Sequence, residues 1–112
     1  MRPEPFKPVS AEEAVELIKQ GVIPVDVRQD YEYTRDHIEN ALLIPISDPY
    51  EFALDLQEQQ TDKEKALLFI CEVGQRSATA CLVAAIAGYK QVYNLEGGMS
   101  MWRYEGLPLV RG

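Results

Sequence analysis

The apolar positions of the chain fall into short unbroken runs separated by stretches with helical spacing. Val22-Ile23-Pro24-Val25-Asp26-Val27, Ala41-Leu42-Leu43-Ile44-Pro45-Ile46, Ala66-Leu67-Leu68-Phe69-Ile70 and Gln91-Val92-Tyr93-Asn94-Leu95 each have the length and branched-residue content of a buried strand. The third run is the most apolar, which places it at the centre of a sheet. Pro24 has no N–H to give, so pairing of the first run is expected to begin after it.

Helices with recognisable ends lie between these runs. Ser10 and Glu13 have the spacing of a capping box, Val15, Leu17 and Ile18 supply an apolar stripe, and Gly21 stops the helix. Asp30 opens a short helical segment reaching about His37. Asp48 as cap and Pro49 in the first turn start another, which holds Phe52, Leu54 and Leu56. The polar run 57–65 ends that helix and forms a surface loop. Arg76 to Ala87 is small and apolar almost all round, the pattern of a mostly buried helix, and Gly88 caps it. Gly97-Gly98 turns the chain into a last short helix containing Met101 and Trp102. Residues 1–8 carry three prolines and read as an extended arm before a single domain over 9–112. The alternation of strands and helices predicts an α/β fold, a parallel sheet covered by helices on both faces.

Composition narrows the function classes. The 112 residues contain 46% hydrophobic residues, enough for a core that needs neither disulfides nor a structural metal. A net charge of -7 with dispersed acids argues against nucleic-acid binding and against an anionic membrane surface. Glu12, Glu13 and Glu16 read as a solvated helix face. The first ten residues hold prolines and charges where a signal peptide needs an apolar segment, and no run approaches the ~20 residues of a membrane span. The expectation is a cytoplasmic monomer with its two cysteines reduced.

Candidate chemistry concentrates in Phe69-Ile70-Cys71-Glu72-Val73-Gly74-Gln75-Arg76-Ser77-Ala78, where a strand ends on a cysteine and a helix follows a short loop. Sites of open α/β sheets form outside the carboxyl ends of strands. Gly74 permits positive φ, and the first amides of the following helix have no intrahelical acceptors, so they can point at an anion. Such a loop suits a thiolate nucleophile, with Arg76 adding positive charge at its edge. The plainer alternative, which the spacing favours less, is that Cys71 is a small buried residue ending a strand. There is no CxxC, no P-loop and no GxGxxG, and one histidine with two cysteines gives no recognisable zinc spacing. No metal or cofactor is expected.

Two separated stretches resemble a known family. The segment from Cys71 to Trp102, CEVGQRSATACLVAAIAGYKQVYNLEGGMSMW, is similar to the second half of single-domain rhodaneses. Val25-Asp26-Val27-Arg28, Tyr31-Glu32-Tyr33 and His37-Ile38-Glu39-Asn40-Ala41 resemble the first-half signature. The likeness spans about Val9 to Leu107. It implies a rhodanese-like fold with a mainly parallel five-stranded sheet, and a thiosulfate sulfurtransferase activity. Cys71 would then be the nucleophile and persulfide carrier, and Glu72, Val73, Gly74, Gln75, Arg76 and Ser77 the loop that binds the donor. The implied partners are a small sulfur donor such as thiosulfate and a protein thiol or persulfide. Asp36 and Asn40 depart from the pattern, standing where many relatives have glycines. So does Glu72, whose charge opposes an anionic donor if it faces the pocket. A protein persulfide is therefore as good a donor on this reading.

Other residues carry milder expectations. Cys81 reads as core packing rather than a resolving thiol. Asp26 with Arg28 reads as a structural ion pair, and His37 as a hydrogen-bonded structural residue rather than a general base. Trp102 and Met101 read as the last helix closing the core rather than an acceptor pocket. A phosphatase or arsenate reductase also attacks from an amide cradle, but with a longer loop between cysteine and arginine. A non-catalytic recruitment or sulfur-relay module is the remaining alternative.

Overall fold

The computed structural model describes residues 5–112. Its elements run β1 Lys7–Val9, α1 Ala11–Lys19, β2 Ile23–Asp26, α2 Asp30–Arg35, β3 Leu42–Leu43, α3 Pro49–Gln59, β4 Leu67–Ile70, α4 Gln75–Ile86, β5 Val92–Leu95 and α5 Gly98–Tyr104. The strands form one sheet of five in the order β1-β5-β4-β2-β3, and every pair is parallel. The most apolar strand, β4, takes the middle, and all four of its residues are buried.

Alternation along β4 sets the two layers. Leu67, Phe69 and Cys71 pack with Phe52 and Leu56 of α3 and Ala80, Cys81 and Ala84 of α4. Leu68 and Ile70 pack on the opposite face with Ala11 and Ala14 of α1 and Met99 and Trp102 of α5. The two helix pairs thus cover opposite faces, as the period-2 geometry of a strand requires.

Several sequence expectations need correction. Part of the arm is structural: Lys7, Pro8 and Val9 form edge strand β1, paired to Tyr93, Asn94 and Leu95, while residues 1–4 of the arm lie outside the described residues. Pairing of β2 begins before Pro24, with Ile23 opposite Leu67 and Pro24 opposite Leu68. The Ile23 and Val27 amides donate toward β4, so the alternating Pro24 nitrogen faces the β3 side, where pairing starts only at Val25. Helix α2 stops at Arg35, short of His37, and α3 runs through the polar residues to Gln59. In the second run, Ala41 to Ile46, only Leu42 and Leu43 pair as strand. Helix α4 is half-buried rather than enclosed: Ser77, Ala80, Cys81 and Ala84 face the core, but Leu82 and Ile86 are exposed. In α5, Trp102 closes the core and bonds the Pro108 carbonyl at 2.9 Å, whereas Met101 is exposed and Met99 takes the buried position.

The helix starts follow the sequence closely. Ser10 Oγ accepts from the Glu13 amide at 3.1 Å and Glu13 Oε1 accepts from the Ser10 amide at 3.0 Å. Asp48 Oδ1 accepts from the Tyr50 amide at 2.8 Å.

Candidate functional site

Cys71 leaves β4 at its carboxyl end with its residue 1% exposed. The chain then reverses through Gly74, whose φ of +99° is open to glycine at little cost, and enters α4. This turn brings the Gly74 N–H to 3.0 Å from Cys71 Sγ. The amides of Gln75, Arg76 and Ser77 belong to the first turn of α4 and have no intrahelical acceptor. The loop is therefore a short arc with one N–H on the sulfur and further unpaired donors of a helix start beside it, an arrangement that can hold an anion.

One wall of the arc is neutral and buried. Ser77 Oγ lies 3.2 Å from Sγ and 2.5 Å from Asn94 Oδ1 on β5, and Asn94 Nδ2 donates to the Gly74 carbonyl at 3.3 Å. Asn94 thus ties the last strand to both ends of the turn.

The opposite wall is charged. Arg28 and Asp26 are fully buried at the end of β2, with Arg28 Nε 3.1 Å and Nη2 2.9 Å from the Asp26 carboxylate. Arg28 also reaches Asp36 and, at 3.3 Å, Glu72. Arg103 of α5 completes the cluster, at 2.5 Å from Glu72 and 2.7 Å from Asp36. Arg103 holds the carboxyls of Glu72 and Asp36 below their ordinary range. Glu72, the acid adjacent to the nucleophile candidate, is therefore clasped by two guanidiniums instead of presenting a free charge.

Arg76 is also engaged. Its two terminal nitrogens meet the Glu32 carboxylate of α2 at 2.8 and 2.9 Å, a bidentate pair. Glu32 additionally accepts from the Gln29 amide at 2.9 Å. Arg76, expected as a positive charge and anion contact at the loop's edge, gives hydrogen bonds from both terminal nitrogens to Glu32. Val73 and Gln75 are exposed at the rim.

A third support comes from below. The amides of Met99 and Ser100 donate to the carbonyls of Cys71 and Glu72 at 2.9 and 3.0 Å. This approach requires Gly98: a Cβ there would lie 2.4 Å from the Cys71 carbonyl oxygen and 2.6 Å from the Glu72 backbone. Sequence reasoning took Gly97-Gly98 only for a turn. It also missed Asn94 and Arg103. A polar residue inside an otherwise apolar strand was the available signal for Asn94; Arg103 had none.

The remaining candidates fall outside this arc. His37 stacks on Tyr33 at 3.7 Å, and its Nδ1 lies 2.8 Å from the Tyr33 carbonyl, which can only accept. Its backbone bridges Val110. Cys81 is buried in α4, 3.4 Å from the Tyr93 carbonyl, and burial pushes its thiol pKa up. The two departures from the family pattern have physical accounts. Asn40 adopts φ +68°, a region asparagine tolerates, and Asp36 binds both arginines. Among the described residues no group of three or more His, Cys, Asp or Glu side chains is placed to hold a metal ion. None of the described helices is long and apolar enough to cross a membrane.

Comparison with known proteins agrees with this geometry. The chain is 33% identical to thiosulfate sulfurtransferase GlpE of Coxiella burnetii over 99 residues, 88% of either protein. It is 38% identical over 92 residues to the tRNA uridine(34) hydroxylase of Erwinia tasmaniensis, spanning 26% of that longer protein. Among solved structures, a rhodanese-related protein from Thermoplasma volcanium superposes with a TM-score of 0.77 at 29% identity, covering 96% of this chain and all of the other. A Helicobacter pylori protein superposes with a TM-score of 0.70 at 32% identity, covering 93% and 88%. The family model for the rhodanese-like domain matches residues 10–105. That match takes in strands β2 to β5, both helix layers and the whole cysteine loop, and the chain belongs to the rhodanese-like domain family.

Proposed function

We propose that the chain is a sulfurtransferase in which Cys71 carries the transferred sulfur as a persulfide. The observation that carries this reading is the seating of Sγ, 3.0 Å from the Gly74 amide and at the mouth of the α4 first turn. The Cys71 thiolate attacks the outer sulfur of thiosulfate. The new bond joins Sγ to that sulfur, the old sulfur–sulfur bond breaks, and its electron pair leaves on sulfite. An acceptor nucleophile, cyanide or a thiolate, then attacks the outer sulfur and returns Cys71 to the thiolate. Loop amides from Glu72 to Ser77 stabilise the anionic sulfur at both stages, with the positive charge of Arg76 nearby. The pairing of Glu72 with Arg28 and Arg103 supports thiosulfate as donor, because it removes the repulsion that a free carboxylate beside the loop would exert. No cofactor takes part, and the chain works as a cytoplasmic monomer, with a protein persulfide as a second class of donor.

The test is intact-mass measurement after incubation with thiosulfate, before and after cyanide. Wild type and Cys81→Ala should gain one sulfur atom and lose it to cyanide, and Cys71→Ala should gain none. If wild type gains nothing from thiosulfate or from a persulfide donor, a non-catalytic recruitment module takes its place.

A further inference from the structure

The hydrogen bonds around Ser77 have a fixed direction. The Gly74 carbonyl can only accept, so the Asn94 group at 3.3 Å from it is the amide nitrogen. The other end of Asn94 is therefore its carbonyl oxygen, which also can only accept. It takes the single hydroxyl proton of Ser77 at 2.5 Å. With that proton committed, Ser77 Oγ meets Sγ at 3.2 Å as an acceptor, and the S–H of Cys71 is the donor. The wall formed by Asn94 and Ser77 thus suits the neutral thiol, while the Gly74 amide at 3.0 Å can only donate to the sulfur.

We propose that Asn94 is a positioning residue that, by holding the Ser77 proton, governs whether the Ser77 hydroxyl donates to the Cys71 sulfur. When Cys71 loses its proton to solvent, the S–H···Oγ bond disappears. Ser77 then turns its hydroxyl from Asn94 Oδ1 to the sulfur anion, and Asn94 keeps only its bond to Gly74. The same turn serves the anionic persulfide. This rests on Cys71 being the sulfur carrier. It adds that the last strand, through one amide, sets the cost of making the anion.

The charged and titratable groups around Cys71 are Glu72 in the loop, Arg76 and Cys81 on α4, and Asp26 with Arg28 at the end of β2. Beyond them stand Glu32 and Asp36 at the two ends of α2 and Arg103 on α5. The test leaves all of these unchanged except Cys81, replaced by alanine throughout so that only one thiol is read. Thiolate ultraviolet absorbance is followed against pH for wild type, Asn94→Leu, Asn94→Asp, Ser77→Ala and the two double variants.

Asn94→Leu frees the Ser77 proton for the sulfur and should lower the titration midpoint by about one pH unit, the scale of one hydrogen bond gained by an anion. Asn94→Asp holds that proton more strongly and should raise it. In the Ser77→Ala background the leucine shift should vanish and the aspartate shift should shrink to its charge alone. Equal shifts with and without Ser77, or no shift in Asn94→Leu, overturn the proposal. If Asn94→Leu does not fold, the aspartate pair decides by the same rule. Absorbance reads the thiol without any sulfur donor, so a failed cycle in a protein that still gains sulfur from thiosulfate counts against Asn94 alone.

Discussion

Cys71 and Cys81 share a hydrophobic cluster and are equally hidden, at 1% and 0% exposure. Their surroundings differ in kind. Among the described residues the Cys81 sulfur has one hydrogen-bond partner, the Tyr93 carbonyl, which offers an anion nothing. Cys71 has an amide donor, a hydroxyl and the open first turn of a helix, and its loop is braced by β5, α5, β2 and α2. Burial by itself makes a thiol inert, as the raised Cys81 shows. Burial among donors makes a site for a charged sulfur.

The comparison breaks most severely at Gly98. Gly98→Ala drives a methyl into the Cys71 and Glu72 backbone at a residue with φ +55°, and should destabilise the fold by about 2–4 kcal/mol. The check is the urea midpoint together with sulfur gain by mass. The expected outcome is loss of Cys71 transfer in whatever fraction remains folded, with Cys81 still protected from alkylation.

A smaller effect sharpens the role of the charged wall. Arg103→Met releases Glu72 from its main partner while Arg28 remains. Thiosulfate KM should rise about fivefold, the scale of roughly 1 kcal/mol of repulsion, with kcat little changed. Glu72→Gln in the same chain should reverse the rise. Steady-state kinetics of the single and double variants provide the measurement.

The smallest effect concerns Glu32, which Arg76 pulls from 4.5 down to about 2. Because the folded value is depressed, the unfolded chain takes up the proton first as pH falls. The stabilisation is complete above pH 4.5 and disappears toward pH 2. Arg76 is 37% exposed, so solvent screening reduces the contribution to about 1 kcal/mol. Urea midpoints at either end of that window should converge in Arg76→Met relative to wild type.

Local signals made much of the fold legible. Caps at Ser10 and Asp48, the apolar runs and the position of β4 are properties of neighbouring residues, and they read correctly. The cysteine loop was legible for the same reason, since its strand, glycine and helix start are contiguous. What escaped notice depends on residues that only folding brings together. Arg76 could be seen as a charge, but its partner Glu32 sits on another helix. Glu72 posed a repulsion that Arg28 and Arg103 answer from β2 and α5. The exposure of Leu82 and Ile86 could not be read either, because beyond its first turn and Thr79 the helix is apolar all round and carries no polar face to mark its solvent side.

The edge strand β1 pairs with β5, so Lys7 meets Tyr93 and the two ends of the domain are sewn into one sheet. Such a contact closes a loop of about three-quarters of the chain, which carries a large loop-closure entropy cost. In the folded sheet β1 covers the flank of β5 that would otherwise be an open template for another strand.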